Sequence, residues 1–327
     1  MKILVLDRAD MDRVITMEQA VDAAREAFIT YSTGVNDIPL RSSIQVSHWN
    51  GNALFMPGFV PDSDALGLKI VSVYPDNSEK GIPAVPSTMI LLDSKTGQVS
   101  AILDGTHLTA LRTGAMAGAA TAALARKEAE KMVLIGAGGQ AKSQLEAVLS
   151  VRDIKEVQVF SRHLDRARVF ADKHDHYPGV KVRAGEDLDR AVSEADILTA
   201  VTTSRSPVFD GSRVKAGAHI NGMGSFTPEM AEVPEEVLQR AGRIYLDSFD
   251  CLTECGDLRQ PIQSGAFEEA RITGEIGELL AGRKPGRDHA EQITFFAATG
   301  NAILDIVTAK KIYDQAIVRN IGRWIEL

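Results

Sequence analysis

From residue 131 onward, short apolar runs alternate with amphipathic helical patterns, and this rhythm constrains the fold more than any other feature of the chain. Helical patterns such as Ala141–Val151 and Leu164–His174 separate several of the runs. This alternation predicts a parallel, doubly wound sheet of about six strands. The runs are KMVLI (131–135), EVQVF (156–160), VKV (180–182), ADILTAV (195–201), AHING (218–222) and RIYLD (243–247).

The chain before residue 115 has a different pattern. A strand is predicted over Lys2–Leu6 and a helix near Met17–Ser32. Between residues 38 and 100, short extended runs are broken by NG, PG, PD and TG, which predicts a mostly antiparallel sheet. The Ala- and Gly-rich stretch Leu108–Lys127 predicts a tightly packed helix that leads out of this region.

Helical patterns return after Asp250, including a long run from Gln292 to Arg319. The predicted class is therefore α/β, with two domains. A Rossmann-type, doubly wound domain is expected over residues 115–305. Residues 1–114 and 306–327 are expected to form a discontinuous α+β domain for substrate binding and dimerisation.

The sequence GAGGQA follows the first strand of the doubly wound region and opens a helix, as a dinucleotide-binding turn does. Gly136 allows the tight turn, Gly138 lets the backbone approach a pyrophosphate, and Ala141 allows the helix to pack closely on the strand. Gly139 and Gln140 complete the predicted cofactor contacts. The alternative is a glycine-rich turn that binds no ligand.

The next strand ends at Ser161-Arg162 rather than at the acidic residue that would hold the ribose 2′-hydroxyl of NAD. An arginine beside a small hydroxyl can hold a 2′-phosphate through charge-assisted hydrogen bonds, whereas a carboxylate would repel it. These two residues therefore favour NADPH, with NADH still possible. The alternative is that Arg162 is a solvated surface charge.

Three of the cations before the glycine turn are candidate site residues. Lys69 interrupts the apolar run LGLKIVSV, and alternation places it with Gly67 and Val71, opposite a face of leucine and isoleucine. Arg112 precedes Thr113-Gly114, where an arginine suits bidentate capture of a carboxylate. Arg41 could be a second carboxylate clamp. The alternatives are an edge-strand lysine for Lys69 and a salt bridge to an acidic residue for Arg112.

Composition excludes several classes of function. The chain has 36 Lys+Arg and 44 Asp+Glu, a net charge of −8, which argues against nucleic acid or an anionic membrane as a partner. Cys251 and Cys255 have no neighbouring ligand pair, so no metal site is expected. With only these two cysteines, a cytoplasmic location is expected. His174 and His176 lie in a polar stretch and are predicted to be solvated.

Segments along nearly the whole chain resemble those of the ornithine cyclodeaminase/mu-crystallin family, and most of all its pyrroline-2-carboxylate (ketimine) reductase branch. The resemblance implies reduction of cyclic ketimine acids, a homodimer, and an active site between the two domains. The segments are LGLKIVSVYP, LLDSKTGQVSAILDG, LTALRTGA, VLIGAGGQA, NGMGSFTPEMAEVP, GDLRQPI, GEIGELLAGRKPGR and FFAATGNAILDIVTAKKIY.

The resemblance also implies roles for single residues. Arg41 and Arg112 would hold the substrate carboxylate, Lys69 would be the catalytic acid, and Thr88 and Phe226 would contact the substrate. Further cofactor contacts are implied at Thr113, Thr202, Thr203, Met223, Gly224, Ser225 and Gly300.

Two positions depart from the ornithine-cyclising members, which carry a glutamate and an aspartate where this chain has Leu54 and Phe226. Neither side chain can pair with the distal ammonium of a diamine, so a cyclic imino acid such as 1-pyrroline-2-carboxylate or its six-membered homologue is favoured. Ornithine cyclodeaminase and an alanine- or opine-type dehydrogenase remain alternatives on the same scaffold. A non-catalytic, NADPH-dependent ligand binder of the mu-crystallin type is another.

Overall fold

The computed structural model describes residues 1–77 and 80–327, which divide into two compact units. Unit 1 comprises Met1–Arg112 and Asn301–Leu327, and unit 2 comprises Thr113–Gly300. The predicted boundaries after residues 114 and 305 lie two and five residues further along the chain. The second boundary falls earlier in the structure because the whole of the last helix packs on the sheet of unit 1.

The strands are, in chain order, β1 (Lys2–Leu6), β2 (Ser42–Val46), β3 (Gly51–Val60), β4 (Ala65–Val73), β5 (Ser87–Leu92), β6 (Val99–Asp104), β7 (Lys131–Ile135), β8 (Glu156–Phe160), β9 (Lys181–Ala184), β10 (Ile197–Ala200), β11 (His219–Gly222), β12 (Arg243–Leu246), β13 (Gly274–Glu275), β14 (Thr294–Ala297) and β15 (Arg323–Glu326). The α-helices are α1 (Arg8–Val14), α2 (Met17–Thr33), α3 (Gly105–Leu124), α4 (Ala141–Val151), α5 (Leu164–His174), α6 (Leu188–Glu194), α7 (Glu235–Arg240), α8 (Cys251–Glu254), α9 (Gly256–Ser264), α10 (Ile276–Leu280) and α11 (Ala302–Arg319).

The sheet of unit 1 has the order β15-β1-β6-β5-β4-β3-β2. Only β1 and β6 pair in parallel among the described strands of this sheet, so the predicted antiparallel arrangement is confirmed. The last helix, α11, packs against β3, β4, β5 and α2. Along β4 the buried residues alternate with half-buried ones, and Lys69 lies on the buried face.

The sheet of unit 2 is parallel throughout its described pairs, with the order β13-β12-β14-β11-β10-β7-β8-β9. Counting from β7, its first five strands follow the 3-2-1-4-5 order of a dinucleotide-binding fold. The predicted doubly wound sheet and the α/β class are confirmed. The two layers of apolar side chains that cover it form separate clusters.

The expectation of about six strands was too low, because this sheet has eight in the described residues. The helical pattern proposed over Gln292–Arg319 was wrong at its start, where Thr294–Ala297 forms β14 between β11 and β12. All four residues of this strand are buried. A run of four residues that are all buried has no period that separates a strand from a helix.

Helix α1 and strand β15 have no counterpart among the predicted elements. Strand β15 extends the sheet of unit 1 by pairing antiparallel with β1. In the part of the chain that the structure describes, no helix combines the length and the apolar character needed to cross a membrane.

Candidate active site

Unit 1 contains a buried cluster of charged side chains around Asp305. Nζ of Lys69 lies 2.6 Å from Oδ2 of Asp305, and Nε of Arg112 lies 3.0 Å from Oδ1 of the same carboxylate. Lys69 is 1% exposed and Asp305 is fully buried. One carboxylate therefore orients two cations that the sequence analysis had singled out separately.

Each member of the cluster comes from a different element. Lys69 projects from the buried face of β4, opposite Met56 of β3 and Met89 of β5 in the strand register. Arg112 lies on α3, and Asp305 lies in the first turns of α11. The alternative of an edge-strand lysine is wrong, because β4 is an interior strand of the sheet. For Arg112, the alternative of a salt bridge is correct at Nε.

The surroundings of Lys69 change its acidity. Burial and, to a smaller extent, the positive charges of Arg112 and Arg41 lower the pKa of Lys69 to about 8, although the carboxylate of Asp305 opposes the shift. A group with a pKa near the working pH is suited to proton transfer, because both of its protonation states are accessible. Lys69 therefore has the properties of a general acid.

Asp305 was missed at the level of sequence. The signal that could have found it is the one that identified Lys69, namely a lone charge in an apolar run, here AILDIV in α11. A charge in such a run is buried and needs a partner of opposite sign. The two buried charges were candidates for each other, although 236 positions separate them.

The glycine turn of unit 2 has the geometry that a pyrophosphate requires. Gly136 has φ of +119°, and a Cβ atom there would lie 2.5 Å from the carbonyl oxygen of Val201, so only glycine fits. Cβ atoms added at Gly138 and Gly139 would meet nothing within 4 Å. Open space thus lies beside the backbone at the start of α4, where the helix N-terminus favours an anion.

The other predicted cofactor residues of unit 2 follow parallel strands of one sheet. Ser161 and Arg162 follow β8, Thr202 and Thr203 follow β10, and Met223 begins the segment after β11. Because these strands run parallel to β7, their carboxyl ends meet at the edge that holds the glycine turn. This edge is where doubly wound sheets bind their ligands.

Glu232 is a buried residue that the sequence analysis missed and that organises this edge. Its carboxylate accepts hydrogen bonds from the backbone N–H groups of Thr202, Met223 and Gly224, at 2.6, 3.1 and 2.5 Å. Burial and the nearby Asp257 raise the pKa of Glu232. This one side chain therefore ties the segment after β10 to the segment after β11.

The remaining predicted residues are placed as follows. The backbone carbonyl of Thr113 accepts from Nε2 of Gln144 at 3.2 Å, and Gly300 N–H donates to Oδ2 of Asp247 at 2.6 Å. Ser225 is buried, and Phe226 is half-buried. Thr88 is exposed and adjacent to Met89 on β5, so it lies on the face of the sheet opposite Lys69. The structure therefore does not bring Thr88 together with Lys69.

Two further predictions concern residues outside these clusters. His174 is not solvated as predicted: it is 4% exposed and stacks on Phe170 with ring centroids 4.2 Å apart, because it shares the apolar face of α5. Cys251 and Cys255 are both buried free thiols. Across residues 1–77 and 80–327, no cluster of three or more His, Cys, Asp or Glu side chains could hold a metal ion.

A doubly wound sheet with an open glycine turn is typical of dinucleotide-binding proteins, and a buried lysine of lowered pKa is suited to proton transfer; these are features of oxidoreductases that use a nicotinamide cofactor. More particularly, the chain belongs to the ornithine cyclodeaminase/mu-crystallin family, whose sequence model matches residues 1–320. It is 36% identical over 324 residues to a delta(1)-pyrroline-2-carboxylate reductase of Bacillus cereus, with 99% of each chain covered.

Solved structures give the same relationship. The Thermococcus litoralis delta(1)-pyrroline-2-carboxylate reductase in complex with NADH and L-proline is 37% identical, with a TM-score of 0.94 and coverage of 98% of this chain and 99% of the other. An archaeal alanine dehydrogenase dimer with bound NAD is 34% identical, with a TM-score of 0.92 and full coverage of both chains. The family and the nicotinamide cofactor inferred from the sequence are thus supported.

Proposed function

We propose that this protein is an NAD(P)H-dependent reductase of cyclic ketimine acids, which converts 1-pyrroline-2-carboxylate to L-proline. Reduction of the six-membered homologue, 1-piperideine-2-carboxylate, to L-pipecolate uses the same chemistry. The observation that carries the proposal is Lys69, a buried lysine whose pKa is lowered to about 8 and which is held by Asp305 next to Arg112. The reductases of Bacillus and Thermococcus provide the substrate class.

The reaction adds a hydride to the imine carbon and a proton to the imine nitrogen. When bound, the nicotinamide supplies the hydride. Arg112 and Arg41 hold the substrate carboxylate, which orients the imine and fixes the face that is attacked. Lys69 donates the proton to the nitrogen, directly or through water, and this forms the protonated imine that accepts the hydride. Asp305 keeps Lys69 and Arg112 in position through its two carboxylate oxygens.

We further infer that NADPH is preferred over NADH. Arg162 is exposed immediately after β8, where a cofactor 2′-phosphate would lie. The groove beside the glycine turn is also lined by the three cations Lys142, Arg166 and Lys173, which outnumber the carboxylate of Asp165 there. These charges favour a phosphate over the free hydroxyl of NADH. The ratio of kcat/KM for the two cofactors tests the preference, and a lower value for NADPH contradicts it.

A cytoplasmic homodimer built through unit 1 completes the proposal. The uncovered face of β4 carries the half-buried apolar side chains Leu66, Leu68 and Ile70, and Ile44 of β2 is 56% exposed. Contiguous apolar surface of this kind is typical of protein–protein interfaces. The archaeal alanine dehydrogenase is also a dimer. Sedimentation velocity should give the mass of two chains, and Leu68→Asp should shift it toward one.

Two alternatives from the same scaffold are distinguished by substrate. Ornithine cyclodeaminase activity is disfavoured, because Leu54 and Phe226 offer no acceptor for a distal ammonium group, which is costly to leave unpaired. Alanine dehydrogenase activity has the support of relatives about a third identical to this chain. A ligand binder of the mu-crystallin type is disfavoured, because binding without catalysis does not require a buried lysine with a lowered pKa.

One assay tests these functions together. NADPH oxidation is followed by absorbance with 1-pyrroline-2-carboxylate, 1-piperideine-2-carboxylate, and pyruvate plus ammonia, and ammonia release is followed with L-ornithine and NAD. We expect turnover on the order of one per second or faster with a cyclic imine. Faster turnover of pyruvate plus ammonia, or of ornithine, would assign the chain to that alternative. No turnover of any substrate would favour the ligand binder.

A further inference from the structure

Asn301 has a side chain that the fold buries but does not use. The residue is 8% exposed, and neither Oδ1 nor Nδ2 has a hydrogen-bond partner among the described residues of the protein. It occupies the N-cap position of α11, yet its side chain makes no capping bond. A buried amide without partners destabilises a fold, so its presence calls for a partner that the fold itself does not supply.

The position of Asn301 suggests what that partner is. The residue precedes Asp305 by four positions, one helical turn, on the helix that supplies the carboxylate for Lys69 and Arg112. It therefore stands beside the cationic cluster and within unit 1. The N-terminus of an 18-residue helix adds a positive potential that favours a substrate carboxylate there.

We propose that the amide of Asn301 recognises the substrate at its imine nitrogen and carboxylate, an inference that rests on the proposed reductase function. A protonated cyclic imino acid presents an N–H donor and a carboxylate acceptor side by side. A primary amide presents the complementary pair, with Oδ1 accepting from the N–H and Nδ2 donating to the carboxylate. Asn301 thereby holds the imine in its protonated form, which is the form that accepts a hydride.

This pairing sets specificity for an imino acid against the corresponding 2-oxo acid. A ketone oxygen has no hydrogen to donate, so with a 2-oxo acid Oδ1 of Asn301 remains buried and unpaired. Sites built to bond an N–H group reject analogues that lack it for this reason. The ligand class read by Asn301 is therefore a 2-imino carboxylate rather than a 2-oxo carboxylate.

The test compares Asn301→Leu, which keeps the branched side-chain skeleton at a larger volume and removes both polar atoms, with Thr308→Val on the same helix. Thr308 is also buried, and its hydroxyl has no partner in the described structure, so this variant controls for the loss of a buried polar atom. For Asn301→Leu we expect KM for 1-pyrroline-2-carboxylate to rise about 10- to 100-fold, the effect of losing one hydrogen bond to a charged group. The Kd of NADPH should stay within threefold.

The control and a second variant make the result decisive. Thr308→Val should keep KM within twofold, and both variants should unfold at or above the wild-type temperature, because each removes an unsatisfied group. Asn301→Ala serves if the leucine variant does not fold. Asn301→Asp should raise KM more than Asn301→Leu, because its charge repels the substrate carboxylate.

The outcomes separate this inference from the proposed function. If the wild type reduces the imine and Asn301→Leu keeps KM within threefold, the role of Asn301 is wrong and the reductase function stands. An equal rise in KM for Thr308→Val would also overturn the role, since it would mark a general packing effect. If the wild type does not reduce a cyclic imine, the proposed function fails, and the role of Asn301 fails with it.

Discussion

The two units build their sites from different materials. In unit 2 the site is formed by backbone groups of the glycine turn and the open space beside them. Residue 136 must be glycine because its backbone has a positive φ and leaves no room for a Cβ atom. In unit 1 the site consists of side-chain charges from three elements, and the chain positions that pair there lie 236 residues apart. The first site depends on local geometry, whereas the second depends on the complete fold of its unit, since burial is what shifts the pKa of Lys69.

The largest expected effect tests the side-chain site alone. Lys69→Ala should lower kcat by about 10²–10⁴, the usual contribution of a general acid, because the imine nitrogen must receive a proton before the imine carbon can accept the hydride. The Kd of NADPH should be unchanged, because the cofactor turn does not use Lys69. Steady-state kinetics and fluorescence titration measure the two quantities. A kcat within threefold of wild type would leave water as the acid.

The second variant changes the predicted cofactor site of unit 2 and leaves the charged cluster of unit 1 intact. Arg162→Asp should reduce the preference for NADPH by roughly 10- to 150-fold, the value of one charge-assisted contact of about 1.5–3 kcal/mol. With saturating cofactor, kcat for the imine should remain close to that of the wild type. Arg168→Asp is the matched control, because Arg168 is exposed on α5 and does not line the groove, and it should leave the cofactor preference unchanged. If Arg162→Asp changes both cofactors equally, Arg162 is a surface charge.

Two glycine variants distinguish the contribution of the turn to cofactor binding from its contribution to the stability of the fold. Gly138→Ala adds a methyl group in open space, so folding should be unaffected while NADPH binding weakens about tenfold, or ~1.4 kcal/mol. Gly136→Ala meets the Val201 carbonyl and a positive φ, so it should lower the free energy of unfolding by about 1–3 kcal/mol. Urea denaturation and cofactor titration distinguish them. Equal losses of stability would contradict the assignment.

The pH dependence should be the most gradual effect. Lys69 donates its proton only while protonated, and its pKa is about 8, so kcat/KM should fall about tenfold per pH unit above that value. Because the charge of Asp305 raises the pKa of Lys69, Asp305→Asn should move this limb to lower pH. The Kd of NADPH should not follow the same limb. A kcat/KM that is constant to pH 10 would remove Lys69 from proton transfer.

The glycine turn of unit 2 could be predicted from the sequence, whereas the charged cluster of unit 1 could be predicted only in part. The strand–turn–helix context of the glycine turn is contiguous, so it could be recognised without knowledge of the rest of the fold. Strands β7 and β8 and helices α4 and α5 were predicted with their observed bounds. Strand β14 was not, because four buried residues carry no periodicity.

The cluster around Asp305 could be predicted only in part. Lys69 and Arg112 stood out as charges in unusual local settings, but nothing local to either residue indicates that they share a carboxylate. Asn301 was missed as well, since an asparagine before a helix normally indicates a cap. That its side chain makes no hydrogen bond within the described residues becomes visible only when the neighbouring side chains are in place.

The measurement that tests the central claim most directly is the transfer of label from the cofactor. The enzyme is incubated with 1-pyrroline-2-carboxylate and NADPH that carries deuterium at C4 in the transferred position, and the product is analysed by mass spectrometry and NMR. Reduction of the cyclic imine predicts L-proline with one deuterium, at C2. Unlabelled proline, or no proline while an acyclic amino acid acquires the deuterium, would contradict it.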